Sequence, residues 1–294
     1  MNIPKFLRIG YWNVGIIESP IEDIMQSEFV NIRWMQHKYK DRFFADPFLF
    51  KADSDYYYIF AEEYEFVKKK GIIVLLKINR STMQLEDKHT VIDDDFHLSY
   101  PFPEDDYIIA ENYKSGALHK FTIDKNTLTA VKKEKILDIP LIDPTFLEYN
   151  GNRWLFGTTK EKTIDANSKL SIFIENDGKF IPHKSNPVVN DIHTARPGGK
   201  FFWYNGALYR PAQSCEKMYG EHINLMKVTC LTEDKYEEEL VRSVDSHNSK
   251  RFNLCLHTFN TYEDFAVVDG YEYSVQIRQR IKGVIHAHIT HRSE

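Results

Sequence analysis

The chain has 294 residues, 42% of them hydrophobic, which suffices for a buried core in one large domain or two ordinary ones. Its net charge of −5 is spread over segments of mixed sign, and the one short basic run, Lys68 to Lys70, lies beside Glu62, Glu63 and Glu65, so no nucleic acid is expected as a partner. An aromatic share of 14%, with 17 Tyr and 20 Phe, favours pleated, half-buried surfaces and makes an all-β fold the first expectation.

The N-terminus, MNIPKFLRIGYWNVGIIESP, lacks an apolar core followed by a small-residue cleavage site. No stretch of about 18 apolar residues occurs, so neither a cleaved signal nor a membrane span is expected. Ser19, Pro20 and Glu22 form a helix-start pattern, with serine as N-cap, proline at the first helical position and glutamate at the third. Beyond this short helix the chain reads as strands of four to eight residues: NIRWMQ, YYYIFAEEY, GIIVLLKIN, YIIAENY, ALHKFTID, RWLFGTT, KLSIFIEN, ALYRPAQ, INLMKVTCL, FAVVDG and YEYSVQIR. The C-terminal VIHAHITH alternates His286 and His288 with apolar residues, a half-buried strand pattern more than a metal tract. Cys215, Cys230 and Cys255 show no CxxC spacing, which excludes a disulfide framework and a zinc knuckle and fits a reducing, cytoplasmic setting.

One unusual stretch organises the rest. FFADPFLF sets Asp46-Pro47 inside an apolar run, although a buried charge needs a partner and a proline removes a ladder hydrogen bond. The pattern returns at Tyr100-Pro101, Asp143-Pro144 and Arg196-Pro197, with prolines 54, 43 and 53 residues apart. It returns without proline at His257-Thr258, about 60 residues further on. Each anchor is followed by a turn such as EYNGNRW or WYNGALY and a second strand. A period near 50 with five anchors specifies an all-β five-bladed β-propeller preceded by a short helix-containing segment. Two β-sandwiches would leave the shared chemistry of the anchors unexplained. The expected division is residues 1–36 as a segment packing on the propeller and 37–294 as the propeller itself.

The first strand of each propeller blade lines the central channel, so the anchors converge on one funnel. Asp46 is then tolerated because it faces a polar cavity, with the proline at the strand entrance. The same mouth gathers Ser99, Tyr100, Asp143, His193, Arg196, His257 and Asn260, with Glu62, Glu63, Glu111, Arg210 and Gln213 on the second strands. Carboxylates beside arginines, with aromatic rings around them, suit hydrogen bonding to sugar hydroxyls and stacking on sugar faces. Arg196 and Arg210, with His193 and His257, are expected to hold a phosphate or carboxylate; an ion pair of Arg196 with Asp143 or Asp46 that closes the channel is the competing expectation.

FFADPFLF, followed by LIDPTFLEYNGNRWLFGTT, resembles the five-bladed propellers of the glycoside hydrolase family 43 type. That resemblance implies Asp46 as general base and Asp143 as the residue that orients the acid. The chain departs from the family where a fourth-blade glutamate should be the acid, because Ala195-Arg196-Pro197 stands there and arginine stays protonated. Glu111 and Glu62 are the substitute acid candidates; an inverting route would set two carboxyl groups roughly 6.5–9.5 Å apart. His257 resembles a fifth-blade histidine near an axial calcium, the one cofactor the resemblance suggests.

Over almost its whole length the chain is more similar to the propeller at the N-terminus of plant glucosamine inositolphosphorylceramide transferases and of related bacterial proteins. The matching stretches are FFADPF, SYPF, NPVVNDIHTARPGG, LYRPAQSC with YG following, and HTFN with VDG. This resemblance implies a carbohydrate-related propeller, with a glycosyltransferase as partner. The expected function is cleavage or transfer of a glycosyl group on an anionic or phosphorylated sugar in the funnel. Asp46, Asp143, Glu111 and Glu62 are its catalytic set, and Tyr100, His193, Arg196, Arg210, Gln213, His257 and Asn260 its binding set. The alternative is a glycan-binding or scaffold propeller without turnover.

Overall fold

The computed structural model describes residues 8–159 and 166–275; the VIHAHITH pattern lies outside them. Five antiparallel sheets form a five-bladed β-propeller. The first four blades run from the axis outward in chain order. Blade one comprises Arg42–Ala52, Tyr56–Glu65, Lys70–Asn79 and Leu85–Ile92. Blade two comprises Ser99–Pro103, Tyr107–Glu111, Leu118–Ile123 and Ala130–Leu137. Blade three comprises Ile142–Tyr149, Asn152–Thr158, Lys169–Asn176 and Lys179–Pro182. In blade four, Arg196–Pro197 and Phe202–Tyr204 together pair with Ala207–Ser214, followed by His222–Leu231 and Tyr236–Val244.

Blade five corrects the expected N-terminal division. Its inner strands, Phe259–Thr261 and Ala266–Val275, are completed by Arg8–Ile17 and Ile32–Trp34, so residues 8–17 and 32–34 belong to the propeller and do not pack on it from outside. Ten residue pairs join Arg8–Ile17 to Ala266–Val275. The physical reason is edge closure: the second strand of blade five has an open hydrogen-bonding edge, and the apolar YWNVGII fills it. The helix between these strands, Ile21–Gln26, starts one residue later than the serine cap implied; Pro20 occupies the cap without a side-chain bond, and Ile21 and Ile24 are buried.

Strand alternation sends one face of each blade into each of two neighbouring cores. Val14 and Ile16 of blade five meet Phe44, Ile59 and Val74 of blade one. Phe60 and Ile73 meet Ile108 and Phe121 of blade two. Phe102 and Ile109 meet Phe146 and Leu155 of blade three, and Trp154 and Ile172 meet Leu208 and Leu231 of blade four. Tyr209 and Leu225 close the circle against Ile17, Val268 and the helix.

Deleting residues 1–17 therefore removes the fully buried side chains of Val14, Ile16 and Ile17, each worth about 1.5–3 kcal/mol, from a stability of about 5–15 kcal/mol. The truncated chain should show no cooperative thermal transition by circular dichroism. A retained transition near that of the intact chain would mean that this strand is a dispensable arm.

Candidate functional site

Three of the four proline anchors are bulges in the innermost strands, whereas Arg196-Pro197 pairs in regular register, and Pro47 lies inside Arg42–Ala52, not at its entrance as expected. The pairing slips between Ala45 and Phe48, between Ser99 and Phe102, and between Ile142 and Thr145. At each slip the residue before proline has a left-handed backbone: Asp46 at φ 51°, Tyr100 at 46° and Asp143 at 49°. A bulge is where a strand accepts proline, because the extra residue leaves the ladder. It also turns the two aspartates toward the axis.

Asp46 is buried at the centre. One oxygen accepts a hydrogen bond from the Tyr100 backbone N–H (3.1 Å) and the other from the Thr258 hydroxyl (3.1 Å), with His257 Nε2 3.3 Å away. His257 Nδ1 lies 2.7 Å from Asp269, which also accepts the backbone N–H groups of Asp46, His257 and Thr258. The His257 ring stacks on Trp12 at 3.9 Å, and Gly220 packs so closely that a Cβ there would stand 2.3 Å from that of His257. Burial drives the Asp46 pKa up, His257 opposes it, and Asp143 and Asp269 add to it, leaving it at about 6. For His257 burial acts downward, but Asp269 and Asp46 outweigh it and raise the pKa.

The second cluster surrounds Asp143. Its Oδ2 accepts Arg196 Nε and Gln213 Nε2, each at 2.6 Å. Arg196 also donates to Asn167 (2.9 Å) and to the hydroxyl of Tyr219 (3.1 Å), and lies 4.0 Å from Glu111. Glu111 accepts the Asp143 backbone N–H at 3.2 Å. Glu62, opposite Ala45 in register, is buried beside Asp46, with His97 Nε2 at 3.6 Å. Burial first, then neighbouring carboxylates, raises both glutamates well above the usual range; Arg196 opposes the shift at Glu111.

The structure thus gathers Asp46, Glu62, Glu111, Asp143, Arg196, Gln213 and His257. It does not gather the others as expected. Arg210 faces away and is locked by both oxygens of Glu238 (2.8 and 2.6 Å) and by Tyr236, because it lies an odd number of residues from Gln213 and so on the opposite strand face. Glu63 faces away from Glu62 for the same reason and pairs with Arg42 and Lys88. Asn260 binds the Pro47 carbonyl and the Lys200 N–H, tying blades one, four and five together, so both ends of its amide are engaged by backbone. Tyr100 contributes its backbone N–H, while its ring is buried between blades with the hydroxyl 2.9 Å from Thr145. His193 lies in a side cavity of about 680 Å³ with His222 and Asp191.

Trp12, His97, Asn167, Tyr219, Thr258 and Asp269 complete the cluster and were not among the expected site residues. Asp269 carried a legible signal, a charge inside the apolar run AVVDGYEY, as in FFADPF. Among the described residues, Asp46, His257 and Asp269 are the one group whose ligand atoms could surround a metal. They do not fit the calcium suggested by resemblance, which prefers six to eight oxygens; here both ring nitrogens of His257 already face carboxylates, so the imidazole occupies the place of a cation.

Fold and cluster together define a five-bladed propeller with a buried cluster of carboxyl groups, an arginine and a histidine at its axis. A family model described as glucosamine inositolphosphorylceramide transferase 1, N-terminal, matches residues 28–263, and the chain belongs to that family. The glucosamine inositolphosphorylceramide transferase 1 of Oryza sativa subsp. japonica is 32% identical over 209 residues, 68% of this chain and 28% of the rice protein. Its Arabidopsis thaliana namesake is 31% identical over 205 residues, 67% of this chain and 27% of that protein. The chain therefore spans little more than a quarter of these relatives. Two solved propellers share the fold. The catalytic domain of the Coprinopsis cinerea GH62 α-L-arabinofuranosidase has a TM-score of 0.56 at 9% identity, covering 88% of this chain and 96% of that one. The GH43 β-xylosidase/α-arabinofuranosidase CoXyl43 from a compost metagenome has 0.51 at 11%, covering 82% and 93%.

The Asp46 shift has a consequence for stability. Its folded pKa of about 6 exceeds the unfolded value near ~3.9, so the folded chain binds the proton more tightly. Its destabilising contribution is absent below about pH 4, grows through pH 6 and is complete above it. The melting temperature of Asp46→Asn minus that of the wild type should therefore rise by several degrees between pH 4 and 7, on the order of 1–3 kcal/mol. A pH-independent difference would show that Asp46 titrates normally.

Proposed function

We propose that the funnel is the active site of a carbohydrate-active enzyme that cleaves or transfers a glycosyl group. Asp46 is the base that activates a water or acceptor hydroxyl, and Asp143, gripped by Arg196 and Gln213, sets the position of the groups around it. One observation carries this reading: a carboxyl poised near neutrality, Asp46, shares a buried cluster with two glutamates raised well above their usual range. Groups with separated proton affinities in one cluster are what general acid–base catalysis requires. Membership in a family whose named relatives are glucosamine inositolphosphorylceramide transferases supports a sugar as the ligand. A partner glycosyltransferase would fit the greater length of those relatives.

The two-arginine anion clamp does not form. Arg210 is sequestered by Glu238, and Arg196 is already paired with Asp143. We therefore assign the funnel to an uncharged, hydroxyl-bearing sugar unit and place any phosphate of the substrate outside it. The Arg196 to Asp143 pair also favours a second reading, a glycan-binding propeller without turnover, since it stands where the resembling hydrolases have their acid.

A panel of aryl glycosides and sugar phosphates, assayed with and without inorganic phosphate, separates the two. The enzyme reading expects turnover that falls by about 10²-fold or more in Asp46→Asn while sugar affinity persists. No turnover, together with sugar-induced thermal shifts that survive Asp46→Asn, would assign the chain to the binding class.

A further inference from the structure

Glu62 and Glu111 occupy equivalent places on the second strands of blades one and two, opposite Ala45 and Ser99, yet their surroundings differ. Glu111 has a guanidinium 4.0 Å away and accepts a backbone N–H. Glu62 faces the carboxyl groups of Asp46, Glu111, Asp143 and Asp269, and among the described residues the one basic group in contact with it is His97. The charge state of His97 therefore decides whether Glu62 has a cation beside it.

The backbone fixes that state. The Gly71 N–H donates to His97 Nδ1 at 2.9 Å, so Nδ1 must be an acceptor and the ring proton sits on Nε2, facing Glu62. An imidazolium would set a second N–H against the Gly71 N–H and lose this bond. Glycine is required at position 71: a Cβ would stand 2.4 Å from the Leu98 carbonyl, 2.6 Å from Glu62 Oε1 and 2.8 Å from His97 Cε1. Burial, and then Lys114, also disfavour the charged ring, whose other close neighbour is Tyr64. The Gly71 bond thereby excludes an imidazolium–carboxylate ion pair and leaves Glu62 buried among carboxyl groups without a cation beside it.

We propose that Glu62 is the proton donor of the glycosyl site, in place of the missing fourth-blade acid, and that His97, pinned by Gly71 in its neutral form, is the positioning residue that denies Glu62 a cationic partner. The donor role rests on the catalytic reading of the funnel. As the glycosidic C–O bond breaks, its electron pair goes to the departing oxygen, which takes the Glu62 proton. The attacking water or acceptor hydroxyl bonds to the anomeric carbon and gives its proton to Asp46. Exchange with bulk water then returns one proton to Glu62 and removes one from Asp46. His97, with a third of its side chain exposed, lies between Glu62 and solvent.

The proton state is read in the full chain by nitrogen-15 NMR of the histidine rings and carbon-13 NMR of the carboxyl groups. At pH 7 the expected result is a neutral His97 protonated on Nε2 beside an un-ionised Glu62 that disappears in Glu62→Gln. An ionised Glu62, beside either form of His97, would overturn the proposal. Glu62→Gln should also leave the His97 titration nearly in place, whereas a drop of more than about one pH unit would reveal an ion pair. In turnover, Glu62→Gln should lose about 10²-fold or more on alkyl glycosides, whose leaving groups need the proton, and far less on nitrophenyl glycosides. Equal losses on both would refute the donor role. If the wild type turns over no glycoside, the catalytic reading and the donor role fall together, while the spectra still decide the His97 to Glu62 arrangement.

Discussion

A carboxyl group carried to the middle of a protein must find partners there, and in this propeller those partners come from the next blade. Asp46 of blade one accepts the backbone N–H of Tyr100 in blade two. Glu111 of blade two accepts that of Asp143 in blade three, which is gripped by Arg196 of blade four. The Lys200 N–H of blade four reaches Asn260 of blade five, and Asp269 of blade five accepts the Asp46 N–H. The polar circuit closes on itself around the axis. Each bond satisfies a buried group that would otherwise cost several kcal/mol, and each also fixes the rotation of one blade against the next. The five apolar interfaces supply most of the attraction, but they tolerate sliding in a way that directional bonds to backbone do not.

This arrangement explains why the innermost strands are irregular. A regular strand would direct alternate side chains into the two adjacent interblade cores and present only its edge to the axis. The bulges at Asp46, Tyr100 and Asp143 break that alternation at one level of the funnel. A left-handed backbone is least costly for aspartate among these residues and is a burden for tyrosine. Tyr100 is held there by its hydroxyl contact with Thr145 and by packing against Phe48. Its place in the circuit is accordingly a main-chain one, and only the aspartates bring a side-chain carboxyl group to the axis from the bulge.

The sequence made some of this legible and concealed the rest for identifiable reasons. Asp-Pro inside an apolar run is unusual enough that its recurrence revealed blade number and funnel level together. What it could not reveal was the face. Arg210 and Gln213 lie on one strand, yet three residues of separation send them to opposite sides, and an anchor-based reading treats them alike. Closure by the N-terminus was hidden because WNVGII finds its partner some 250 residues away, and nothing local marks it as half of blade five. His97 was hidden for another reason: it lies in the connection between blades one and two, and its importance comes from a backbone N–H and a missing Cβ, neither of which has a side-chain signature.

The arginine in blade four is best understood through its effect on the glutamates. An acid at that position would have left Asp143 and Glu111 without a cation in a buried, multiply acidic funnel, and one or both would have had to remain protonated. Arg196 pairs with Asp143 and lies 4.0 Å from Glu111, while no contact joins it to Glu62. The two second-strand glutamates, equivalent by fold and both raised by burial, thereby differ in their cationic neighbours. Removing Arg196 alone would leave Asp143 buried and uncompensated and would erase that distinction, so the fourth-blade arginine supplies a cation to Asp143 and Glu111 and none to Glu62.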